Sequence, residues 1–251
     1  MATVAVSHRN ILENSAVTSY PTGAAAGKPL LRAYDRSMTL PFTGPSADLT
    51  PWIKVDQGAT TQYGVKNVFL RAYWPAIPTK VDIDTSANGT DWTNRLTWTP
   101  AATGYESVTA ALVAEVTARH WRLMPTFATP QVLTCHELFL APEYEFEVPP
   151  SRPSGDLENV NSAVHIRTVG GADVFYETGP PRRQRVYSLR GIPATMKTAL
   201  EELNASWRGS KPFWLRDHAG AWIYVRLRGP LSISEIYHDT YDADLDLEEV
   251  F

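Results

Sequence analysis

At 251 residues, the chain is long enough for one large domain or two modest ones, and its eight Trp, eleven Tyr and eight Phe argue against disorder. A single Cys, Cys135, excludes an internal disulfide framework and a cysteine-built zinc site. The net charge of −4 gives no reason to expect nucleic-acid binding, yet residues 231–251 hold seven acidic side chains and no Lys or Arg, which leaves residues 1–230 at +3.

The opening residues lack a charged segment followed by an apolar run, so no secretory signal is expected. No stretch approaches the roughly 18 apolar residues of a membrane helix, and a soluble protein made in a cytoplasm is expected. Residues 1–148 read as all-β, with short apolar runs between turn signals at the spacing of a sandwich or barrel. Trp52-Ile-Lys-Val-Asp56 alternates, with Ile53 and Val55 on one face and Trp52, Lys54 and Asp56 on the other. Val68–Ala72 and Lys80–Asp84 follow as strands, and Asn88-Gly89 marks a tight turn. The window Ser107–Val116 has helix-like spacing, although it is rich in Thr and Val. Arg119–Leu123 and Leu133–Leu140 are the later strands.

Three prolines between Pro149 and Pro153 stop any regular element, so residues 149–155 are expected to link two domains. Residues 156–251 read as α+β. Strands are expected at Ala163–Thr168, Val174–Glu177 and Arg185–Leu189, then at Pro212–Leu215, Ala221–Leu227, Ile233–His238 and Ala243–Val250. Between them, Pro193 suits a first helical turn, Met196, Leu200, Leu203 and Trp207 form one apolar face, and Gly209 is a natural stop. Gly170-Gly171 is a hairpin-turn candidate.

Four motifs in the first part resemble discoidin (coagulation-factor type C) domains: Trp52-Ile-Lys-Val-Asp-Gln-Gly58, Asn88-Gly-Thr-Asp-Trp92, Ala118-Arg-His-Trp-Arg-Leu-Met-Pro125 and Glu137-Leu-Phe-Leu140. The resemblance implies a jelly-roll β-sandwich over about residues 10–141. The early loop and the flanking Cys pair of that family are missing, so its sugar or lipid site does not transfer. Arg185-Val-Tyr-Ser-Leu-Arg-Gly-Ile-Pro193, the helix ending at Trp207-Arg-Gly209, Lys211-Pro-Phe-Trp-Leu-Arg-Asp217 and the closing Asp246-Leu-Glu-Glu-Val-Phe251 resemble distal-tail and minor-tail proteins of tailed bacteriophages. That resemblance implies a tail-tube-like fold, closed into a homo-oligomeric ring such as a hexamer.

Alternation on the last strand places Asp242, Asp244, Asp246 and Glu248 on one face, where like charges repel unless they are solvated or meet cations. They are channel-facing candidates, past which DNA slides, or a solvated edge. An EF-hand would need Gly where Leu247 stands, so no metal is expected. Arg182, Arg183, Arg185 and Arg190 are candidates for contacts between subunits, or salt-bridge partners for acids. Cys135-His136-Glu137 is the tightest group of potential ligands; alternation puts Cys135 and Glu137 on one side and His136 on the other. Trp74 and Trp98 are the aromatic candidates for a ligand or an interface, while Trp92 falls in the discoidin-type turn and is expected to pack. No catalytic or cofactor motif is present, so an enzyme is not expected.

The first expectation is a mainly β virion protein of a long-tailed phage, a tail-tip ring component assembled in the host cytoplasm. Its partners would be tube, hub and tape-measure proteins, without membrane insertion, and possible contact with host-surface glycan. The alternative is a carbohydrate-binding module acting in glycan or cell-surface adhesion.

Overall fold

The computed structural model describes residues 3–13, 17–19, 29–36, 39–59, 62–150, 158–160, 163–167, 173–177, 182–206 and 211–250. The chain divides into two compact units, Met1–His8 with Tyr144–Phe251, and Arg9–Glu143. Strand β1 (Ala5–Ser7) therefore belongs with residues far along the chain, and the Arg9–Glu143 unit is inserted behind it.

The described residues of that inserted unit form β2 (Val17–Ser19), β3 (Phe42–Thr43), β4 (Ile53–Asp56), β5 (Gly64–Trp74), β6 (Lys80–Ser86), β7 (Thr93–Trp98), β8 (Gly104–Thr117), β9 (His120–Thr126) and β10 (Thr134–Ala141). One sheet runs β2-β4-β9-β6-β7 and the other β3-β10-β5-β8. A single core joins them, with Ile53, Val55, Ile83 and Trp121 from the first sheet meeting Leu70, Trp74, Leu138 and Leu140 from the second. The unit is a β-sandwich, as alternation along β4 and β6 implies. Each of these fully buried aliphatic side chains contributes about 1.5–3 kcal/mol through removal from water.

Ser107–Val116, expected to have helical spacing, lies instead within β8. Its β-branched Val and Thr suit a pleated surface, and it pairs with β5 from Trp74–Gly104 to Gly64–Thr117. The register shifts between Val65 and Asn67, where Lys66 Nζ donates to the Leu112 and Val113 carbonyls at 2.7 and 3.0 Å.

The other unit continues with β11 (Tyr144–Glu145), β12 (Glu158–Val160), β13 (Ala163–Arg167), β14 (Asp173–Glu177), β15 (Arg182–Pro193), α1 (Ala194–Ser206), β16 (Phe213–Arg216), β17 (Trp222–Leu227), β18 (Ser232–Tyr237) and β19 (Thr240–Glu249). Its main sheet runs β11-β1-β16-β17-β19-β15-β12, with β18 also paired to β19, while β13 and β14 form a separate hairpin. Helix α1 begins directly after Pro193 and buries Met196, Leu200 and Leu203 in a cluster with Leu189, Ile192 and Leu245. Trp207 and Gly209 lie outside the described residues, as do residues 151–155 of the Pro-rich run and the Gly170-Gly171 turn. The passage between units falls at Glu143–Tyr144, ahead of that run, because Tyr144 and Glu145 already pair with Val6 and Ala5. No helix among the described residues is long and apolar enough to cross a membrane.

Candidate ligand-binding site

The β6–β7 hairpin turns at Asn88-Gly89. Gly89 has a φ of 79°, a left-handed conformation that favours glycine, and the Lys54 ammonium lies close over it. Ser86 Oγ accepts the Gly89 N–H at 2.9 Å, and Asn88 Oδ1 accepts the N–H groups of Thr90 and Asp91, both at 2.9 Å. The Asn88 side-chain amide then donates to Asp91 Oδ2 at 2.7 Å. The turn is thus fixed by its own short side chains.

Behind the turn the register slips. Ile83 pairs with Leu96 but Asp84 pairs with Asn94, so Arg95 is the extra residue of a β-bulge. Bulges re-aim side chains that strict alternation would send elsewhere. Arg95 Nε donates to Thr85 Oγ1 at 2.8 Å. An open cavity of about 630 Å³ lies here, lined by Thr85, Ser86, Asn88, Asp91, Arg95 and Arg119 among others.

The two arginines are in different electrostatic states. Arg119 binds Asp56 through two parallel hydrogen bonds, Nε to Oδ1 at 2.9 Å and Nη2 to Oδ2 at 3.1 Å. That contact is the main cause holding the Asp56 carboxyl below its ordinary range. Arg95 has no carboxylate within ion-pair distance among the described residues. Beneath Gly89, His120 is nearly buried, and burial lowers its pKa. Trp92, from the same turn, packs as expected, with Arg122 over its ring at 4.2 Å and Lys54 at 5.5 Å. The cavity therefore offers hydroxyls, an amide, a guanidinium and a carboxylate, which are partners for a ligand rich in polar groups.

Neither aromatic candidate lines this cavity. Trp74, expected to face a ligand or interface, is fully buried; this is a correction. Strand β5 sends Leu70, Ala72 and Trp74 into the core, where the indole N–H donates to Glu106 Oε2 at 2.6 Å and the ring meets Phe127 edge-on. Trp98 is half-buried and packs against the same core.

On β19, Tyr241, Ala243, Leu245 and Leu247 are buried, and the acids occupy the other face. Of the alternatives for that face, the acids meet cations of their own unit. Arg190 of β15 reaches Asp244 at 2.9 Å and Asp242 at 3.8 Å, Arg228 reaches Asp246 at 3.1 Å, and Arg226 of β17 pairs with Glu248. Asp242 also accepts the Gly191 N–H at 3.0 Å. Arg185, a candidate for contact between subunits or a salt bridge to acids, forms salt bridges within its own unit, 3.2 Å from both Asp217 and Glu249. Arg183 is exposed on β15, and the Arg182 side chain lies outside what is described. Among the described residues no three His, Cys, Asp or Glu side chains gather as a metal would require.

A second bulge corrects the expected facing of Cys135-His136-Glu137. Cys135 pairs with Ala72 and Glu137 with Arg71, so His136 is the extra residue. Cys135 faces the core, where burial pushes its thiol pKa up, and Glu137 faces the other way with Arg71. Glu137 is 1% exposed; its Oε2 accepts the Arg36 N–H at 2.9 Å, and burial pushes its pKa well above the usual carboxylate range. His136 meets the Tyr105 ring at 5.2 Å. Sequence reasoning missed Arg95 altogether. The Asn88-Gly89 turn signalled the loop, but nothing local signals a bulge.

No protein-family model matches the chain, and no curated protein matches it. Among solved structures, the chain is similar to the CBM32-1 module of a family 31 glycoside hydrolase from Clostridium perfringens, at 15% identity over 54% of this chain and 99% of that one, with a TM-score of 0.46. It is similar to chitosan-binding module 1 of a chitosanase/glucanase from Paenibacillus sp. IK-5, at 24% identity over 54% of this chain and 100% of that one, with a TM-score of 0.44. A third is CpGH89CBM32-6 from Clostridium perfringens, at 12% identity over 55% of this chain and 99% of that one, with a TM-score of 0.42. The tail-protein resemblance expected from residues 180–251 gains no support from these comparisons.

Proposed function

We propose that the Arg9–Glu143 sandwich is a carbohydrate-binding module acting in glycan recognition or cell-surface adhesion, and that it acts without catalysis. The observation that carries this reading is the open cavity of about 630 Å³ on the β6–β7 hairpin, with its lining of hydroxyl, amide and charged side chains. Pockets for drug-like ligands are mainly apolar, whereas a sugar presents hydroxyls that need a donor or acceptor each. The self-bonded Asn88 turn holds those groups in place before a ligand arrives, which lowers the ordering cost of binding. A glycan array followed by titration calorimetry tests it: wild type binds a sugar, and Asp91→Ala weakens that binding about tenfold. Absence of binding to every glycan class would overturn the reading.

A second reading, assembly of the other unit into a homo-oligomeric tail-tip ring, is favoured by one feature. Strand β18 pairs with β19 along one edge, and Ile236 and Tyr237 on it are 57% and 78% exposed. Such an edge invites a strand from another copy. Light scattering that returns only monomer at high concentration would exclude it.

A further inference from the structure

We infer that the sugar taken by this cavity is an acidic one, bearing a carboxylate or a sulfate ester, and that Arg95 is the residue that selects it. The inference rests on the carbohydrate reading and goes one step further, to ligand class. The bulge at Arg95 turns this side chain to the cavity, and its Nε bond to Thr85 Oγ1 orients the guanidinium plane. With Nε committed, the two terminal nitrogens remain, and no carboxylate of the described residues takes them. Two N–H groups in a fixed fork match two oxygens of a carboxylate or sulfate, a geometry that neutral hydroxyls do not supply.

The other charges of the cavity agree with this assignment. Arg119 is already neutralised by Asp56. Asp91 is the remaining acid of the lining, and its Oδ2 is engaged by the Asn88 amide. It forms no ion pair with Arg95. An acidic sugar satisfies both walls, its hydroxyls donating to Asp91 while its anion meets Arg95. An amino sugar would leave Arg95 opposed by a like charge.

Calorimetry on the full chain tests this with four ligands: a uronic-acid oligosaccharide, a sulfated oligosaccharide, a neutral hexose oligomer and a glucosamine oligomer. One of the two acidic ligands is expected to bind about tenfold more tightly than the neutral one, with an affinity that falls as salt rises. The one preferred separates carboxylate from sulfate. Arg95→Gln is expected to erase the preference while the melting temperature stays unchanged, and Arg95→Lys to recover part of it. Equal binding of neutral and acidic ligands, a preference for glucosamine, or a preference that survives Arg95→Gln overturns the inference and leaves the carbohydrate reading intact. Binding of none overturns both.

Discussion

On the acid face of β19 each carboxylate meets a guanidinium from its own unit, Asp242 and Asp244 at Arg190, Asp246 at Arg228 and Glu248 at Arg226. In the sandwich, Arg122 is likewise matched by Asp84 and, at the cavity, Arg119 by Asp56, but Arg95 of the cavity lining meets only a hydroxyl. The dense charge of the first region is thus structural, whereas among the described cavity-lining residues Arg95 is a cation without a carboxylate partner, the feature on which the proposed ligand class rests. Charge density in a sequence is a poor guide to binding when sheet order brings opposite charges together.

Breaking matched pairs separates the two roles most sharply. Arg122→Ala leaves Asp84 at 4% exposure without its main cation, and about 3–5 kcal/mol of sandwich stability should be lost in urea unfolding. Arg185→Ala, which strands Asp217 and Glu249 together, should cost the other unit a similar amount. The next effect depends on pH. A carboxyl whose folded pKa is raised contributes its stability below its unfolded value, near 4.5 for Glu137, and loses it as pH rises through the folded value. Glu137→Gln should therefore raise the melting temperature in mildly alkaline buffer and change little in acid, as followed by calorimetry. A smaller change is expected for Asp242, Asp244 and Asp246 replaced together by Asn. These half-exposed pairs should lose no more than about 1 kcal/mol each, and glycan binding should not move. Smallest of all is Arg95→Gln, within about 0.5 kcal/mol of wild type in stability. A large loss there would show that Arg95 is structural and remove the contrast.

Period-two patterns carried most of the fold. Ile53 and Val55 against Lys54 and Asp56, or Leu245 and Leu247 against Asp244 and Asp246, show their buried side in the sequence because strand geometry is local. The bulges are not local. Whether Arg95 or His136 is an extra residue depends on how the partner strand is aligned, and a one-residue slip changes which face a side chain takes. Trp74 is a core residue because β5 carries its alternation through Trp74 itself, its last residue. Arg226 and Arg228 could not be matched to the acid face until β17 was known to lie beside β19.

The placement of β1 bears on how the chain is made. Ala5 and Val6 pair on one side with Glu145 and Tyr144 and on the other with Arg216 and Leu215. During synthesis β1 emerges early and waits for partners that arrive only after the whole sandwich, so long-range closure should make its unit the slower to fold. Strands β1 and β11 are also neighbours, so the chain leaves this unit after His8 and re-enters it at Tyr144 through two adjacent strand ends. Replacing residues 9–143 by a short turn should leave the remaining unit able to fold, and a different domain with closely spaced ends could be seated in the same place.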